Sequence, residues 1–82
     1  MENKIALIGI VVENAESVMK LNTLLHEYSA YVIGRMGLPY HKREISIISV
    51  ALDAPQDVIN ALSGKLGKLE GVSTKTVFQN NN

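Results

Sequence analysis

The chain has 82 residues, 46% of them hydrophobic, and its eight Lys and Arg balance eight Asp and Glu to give zero formal charge. This length predicts one domain over residues 1–82, burying only about 60% of its unfolded surface around one core. With no cysteine there is no disulfide and no thiolate chemistry, and a neutral chain lacks the basic stripe typical of nucleic-acid binders.

The opening "MENKIALIGIVVEN" carries an early acid and runs straight into a strand pattern, so no signal peptide is expected. Its apolar run Ile5–Val12 falls far short of the roughly 20 residues needed to cross a bilayer. A cytoplasmic protein without a membrane partner is the expectation.

"KIALIGIVVE" is rich in β-branched residues and predicts the first strand. Asn14 then offers a helix cap and Glu16 an acid for the first turn. From Ala15 to about Tyr31 the apolar positions Val18, Leu21, Leu24, Leu25 and Tyr28 form one helical stripe. "VIGRMGLP" reads as a second strand, "HKRE" as a polar turn and "EISIISVAL" as a third strand. Asp53 and Pro55 announce a second helix, with Pro55 in its first turn and a stripe of Val58, Ile59, Leu62, Leu66 and Leu69. Gly71 is its stop. "VSTKTVFQ" alternates as a fourth strand, and residues 79–82 form a frayed tail.

The order β-α-β-β-α-β predicts an α+β, ferredoxin-like fold: a four-stranded antiparallel sheet with two helices on one face. Right-handed crossovers put both helices on the same side. The lengths agree, since 15 helical residues span about 22 Å and seven strand residues about 23 Å.

Strand parity then bears on partners. In the first strand Ala6, Ile8, Ile10 and Val12 point one way, while Ile5, Leu7 and Val11 point the other; in the third, Ile48, Val50 and Leu52 oppose Ile45, Ile47 and Ala51. Two helices cover one face only, and a half-solvated sheet should alternate apolar with polar. Ile5, Leu7, Val11, Ile45 and Ile47 are therefore candidates for a face shared between subunits of a homo-oligomer, a dimer or a tetramer.

Chemistry is sparser. The two central strands hold no Phe, Tyr or Trp on which RNA bases would stack. The first loop, "VENAES", is acidic and glycine-free, unlike an anion-binding loop. His26 and His41 are weak metal candidates, since a site needs three or four ligands and would have to recruit Glu27 or Glu44 across subunits. No cofactor is expected. "SGKLGKLEG" lacks phosphate-loop spacing and follows a helix. Within it Lys65 suits a helix end, whereas Gly64 and Gly67 lie opposite the apolar stripe and point to interface contact, then to fraying, then to ligand binding.

The passage "VIGRMGLPYHK" spends an edge strand on poor core formers. Gly34, Arg35, Met36, Gly37 and Tyr40 are its candidates for an assembly or effector surface. Arg35 is expected to face a subunit interface and pair there, since a buried charge needs a partner. A small anionic effector between subunits is the second reading. Catalysis is third, because no nucleophile–base pair or carboxylate pair stands out and no enzyme is expected.

"GRMGLPY", "DAPQDVINALSGKLG" and "GVSTKT" resemble the small regulators associated with iron-only hydrogenase systems, and the resemblance covers nearly the whole chain. That family is ACT-like and similar to the C-terminal domain of the nickel-responsive repressor. The resemblance implies the same fold and an oligomeric, effector-sensing role in bacterial hydrogenase gene regulation, or a scaffold role in hydrogenase assembly with a hydrogenase-system protein as partner. The repressor's nickel ligands, histidines and a cysteine on its strands, have no counterpart here. One domain consumes residues 4–79, which speaks against direct DNA binding through a separate segment.

Overall fold

Burial along the first strand alternates residue by residue, and that alternation organises the molecule. In the computed structural model, which describes residues 2–80, β1 (Asn3–Val12) is followed by α1 (Ser17–Glu27), β2 (Val32–Tyr40), β3 (Ile45–Pro55), α2 (Gln56–Gly67) and β4 (Val72–Phe78). The strands form one antiparallel sheet in the order β2-β3-β1-β4. This is the ferredoxin-like βαββαβ arrangement, with β1 and β3 central.

One face of the central strands is closed by the helices. Ala6, Ile8, Ile10 and Val12 of β1 and Ile48, Val50, Leu52 and Ala54 of β3 are buried against Leu21 and Leu25 of α1 and Ile59, Leu62 and Leu66 of α2. The molecule measures 40 × 24 × 18 Å. The smallest of these dimensions is the thickness of one sheet and one helix layer at about 10 Å each. A third layer is absent among the described residues.

Several boundaries differ from the sequence expectation. Asn14 does not cap α1 directly; its Oδ1 accepts the Glu16 N–H at 2.9 Å, and Glu16 itself takes the N-cap position. The helix ends at Glu27, and a short 3-10 turn, Ser29–Tyr31, carries the chain to β2. Asp53 belongs to β3, opposite Ile5, because burial of Ala54 prolongs the strand alternation. Pro55 (φ −58°, ψ 149°) is the N-cap of α2 rather than part of its first turn. Gln79, expected to start a frayed tail, donates its N–H to the Ile5 carbonyl at 2.8 Å; residues 81–82 lie outside the described residues.

The β1–α1 and α2–β4 connections are tied together at one end of the sheet. Glu13 N–H donates to the Gly71 carbonyl at 2.7 Å, and the buried Ser17 hydroxyl donates to the Glu70 carbonyl at 2.6 Å. Among the described residues no helix is long and apolar enough to cross a membrane.

Candidate functional site

Two features stand out: an apolar face without cover and a cleft with a fixed cation. Residues opposed in an antiparallel ladder present their side chains on the same face. Across the open face, one row therefore runs Val77, Leu7, Ala51, Gly34 and another runs Ser73, Val11, Ile47, Leu38. Ile45 and Tyr40 continue the second row toward the β2–β3 turn. Between the rows lie Gly9 and Ser49, with Lys75 and Met36 at the two edges. The missing and small side chains there leave a furrow of about 320 Å³ beside Val11 and Ile47.

Eight large apolar residues on this face, Ile5, Leu7, Val11, Met36, Leu38, Tyr40, Ile47 and Val77, expose between 36% and 65% of their surface. Ile45 is half-buried. Thus the candidates Ile5, Leu7, Val11, Ile45 and Ile47 all lie where strand parity puts them. Sequence reasoning missed Leu38 and Val77, and it assigned Met36 and Tyr40 to an effector surface without seeing that they extend the same apolar face. Edge-strand apolar residues carry the signal, but their face becomes legible only once the β2 register is known.

That register is interrupted. The pairing shifts between Val32 and Gly34, so Ile33 sits at a bulge. Beyond it, Arg35 opposes Val50 and Gly37 opposes Ile48, which turns both toward the helix side. On that side the Arg35 guanidinium, expected from the sequence to pair across a subunit interface, reaches α1 of its own chain. Its Nη2 donates to Asn22 Oδ1 at 3.0 Å.

This arrangement builds a cleft of about 310 Å³ between α1 and β2. Asn22 and His26, one helical turn apart, line it with Ser29 and Arg35, while Leu25, Val32 and Val50 supply the apolar part. A second cleft, of about 320 Å³, opens near the β2–β3 turn, lined by residues including Pro39, Tyr40, His41 and Glu44. The two histidines thus line separate clefts. No group of three His, Cys, Asp or Glu suited to a metal occurs among the described residues.

The α2 candidates form a different neighbourhood. Gly64 is exposed, and a Cβ built there would meet nothing within 4 Å. At Gly67 a Cβ would make an ordinary 3.5 Å contact with Thr74 of β4, so this glycine lies at the helix–sheet seam rather than fully opposite the stripe. The Lys65 amino group stands 5.2 Å over the Tyr28 ring. A side-chain hydrogen bond with Tyr28, reinforced by charge interaction with it, raises the Lys65 pKa above its ordinary value. The effector and interface candidates thus lie in three places: Gly34, Met36 and Tyr40 on the open face, Arg35 and Gly37 on the helix side of β2, and Gly64, Lys65 and Gly67 on α2.

Comparison with known proteins assigns the chain to a family. Residues 4–76 match the TM1266-like family model, described as an iron-only hydrogenase system regulator. Among solved structures, the uncharacterized protein TM1266 from Thermotoga maritima is 36% identical with a TM-score of 0.92, and the match covers 96% of this chain and 100% of that one. A formyltetrahydrofolate deformylase from Pseudomonas putida KT2440 (14% identity, TM-score 0.66) matches over 95% of this chain and 29% of its own. The divalent ion tolerance protein CutA1 from Ehrlichia chaffeensis (14% identity, TM-score 0.52) matches over 100% of this chain and 87% of its own. The last two share the fold alone. No curated protein sequence matches the chain significantly. The chain belongs to the TM1266-like, iron-only hydrogenase system regulator family.

Proposed function

We propose that this family member is a homo-oligomeric regulatory domain of an iron-only hydrogenase system, acting through ligand or protein binding and not through catalysis. The observation that carries this reading is the open sheet face, with eight large apolar side chains exposed on it. Monomers rarely leave such a contiguous patch beyond a few hundred Å² uncovered. Four strands of 7 to 11 residues present a face about 19 Å across and roughly 23 to 36 Å long. With its side chains standing proud, that face is comparable in scale to the ~800 Å² per partner of a standard stable interface.

The face also suits a second copy of itself. Two apolar rows flank the Gly9–Ser49 furrow, so a two-fold axis parallel to the furrow and midway between it and one row seats that row of each copy into the groove of the other. Polar Asp53, Ser73 and Lys75 form the rim, as in stable interfaces with an apolar centre. Signalling between copies then follows from any ligand that favours one packing of the two sheets.

A scaffold for hydrogenase assembly is the second reading, favoured by the same patch if a different protein covers it. Sedimentation equilibrium at micromolar concentration separates the two. A dimer or tetramer mass is expected for the regulatory oligomer; a monomer that associates only with a hydrogenase-system protein overturns it in favour of the scaffold.

A further inference from the structure

The cleft between α1 and β2 has a chemical character that the regulatory reading does not specify. Arg35 provides a guanidinium whose hydrogen-bond partner is the neutral Asn22 amide, 3.0 Å away, and not a carboxylate. A guanidinium has five N–H donors in a planar fork. One contact to Asn22 holds the fork in place and leaves other donors for a ligand, while the partner brings no negative charge. Orienting a cation through a neutral amide is the arrangement that keeps it attractive to an anion.

The rest of the lining narrows the anion. Leu25, Val32 and Val50 present apolar surface beside the cation, and Val50 is itself fully buried as the floor. His26 and Ser29 complete the polar part of the lining. None of the lining residues is Asp or Glu, so an amino acid's ammonium group would find no charged partner there. A bare inorganic anion would leave the apolar wall uncovered. The volume of about 310 Å³ lies at the lower limit of ordinary small-molecule sites.

We propose that this cleft binds a short-chain organic carboxylate, with Arg35 holding the carboxylate and Leu25, Val32 and Val50 covering its alkyl part. Asn22 is a positioning residue, fixing the guanidinium from the preceding helix. The proposal deepens the regulatory reading by naming a ligand class, yet the site lies within one chain and on the side of the sheet away from the proposed subunit contact. Binding therefore does not require the open face to make a dimer.

The test is titration of 15N-labelled protein with acetate, propionate and butyrate, with butylamine and inorganic phosphate as controls, followed by amide shifts. The expected result is saturable shifts centred on Asn22, His26, Ser29 and Arg35, tightening about three- to fourfold per added methylene. Arg35→Met should weaken butyrate at least tenfold with an unchanged circular dichroism spectrum, and Asn22→Ala should weaken it less. The same titration on an Ile47→Glu variant, designed to be monomeric, should still saturate at the same residues. Absent saturation, phosphate binding as tightly as butyrate, no gain with chain length, or unaltered binding in Arg35→Met each overturns the assignment, whatever the oligomeric state.

Discussion

Gly71 adopts φ +71° with its Cα pressed against Asn14: a Cβ on Gly71 would come 2.8 Å from Asn14 Cβ and 3.0 Å from its backbone nitrogen. The left-handed conformation alone disfavours a side chain, and the close backbone leaves nowhere to move. Because the Gly71 carbonyl also accepts the Glu13 N–H, shifting this turn disturbs the β1–α1 connection. Gly71→Ala should lose about 2–4 kcal/mol, read from urea unfolding; a loss under about 1 kcal/mol would mean the turn relaxes freely.

The neighbouring tie is polar. The Ser17 side chain, 4% exposed, donates to the Glu70 carbonyl at 2.6 Å and bridges the start of α1 to the end of the α2 connection. Ser17→Ala leaves that carbonyl without this partner and should destabilise the fold by about 1–2 kcal/mol. Ser17→Thr, which keeps the hydroxyl, should recover part of the loss.

On α2 the opposite outcome is expected. Gly64 is helical, exposed and has open space where a Cβ would go, so Gly64→Ala should stabilise the chain by about 0.5–1 kcal/mol. Measured with the sedimentation profile, this substitution also tests the sequence expectation of an interface there. A weakened oligomer would place Gly64 in a subunit contact.

Lys65 provides a pH signature. Tyr28 raises its pKa, first through hydrogen bonding and then through charge interaction. A base whose folded pKa lies above its unfolded value contributes stability that is fully present below the unfolded pKa and is lost as pH rises through the folded one. The contribution should thus be intact below about pH 10.5 and decline above it. Lys65→Met should flatten part of the alkaline fall in melting temperature, an effect kept small by full exposure.

How much of this was legible depends on the element. The central strands were readable because Ala6, Ile8, Ile10 and Val12, and Ile48, Val50 and Leu52, hold an unbroken period of two. β2 was readable as a strand but its faces were not, because glycines carry no parity and the bulge at Ile33 breaks the count before Arg35. Asp53 and Pro55 mislead in the same local way: their helix-leading chemistry is overridden by the β1–β3 ladder, which extends to Asn3 opposite Pro55. The cleft was invisible as a unit, since Asn22 and Arg35 are brought together only by the packing of α1 beside the edge strand.

The claim that the open face is the subunit contact is tested most directly by isotope-filtered methyl NOEs on a mixture of labelled and unlabelled protein. The account predicts intersubunit NOEs from the methyls of Leu7, Val11, Ile47 and Leu38, all lost together with dimer mass in Ile47→Glu. Intersubunit NOEs confined to α1 or α2 in a sample of dimer mass, or a wild-type protein that remains monomeric and gives none, would contradict it.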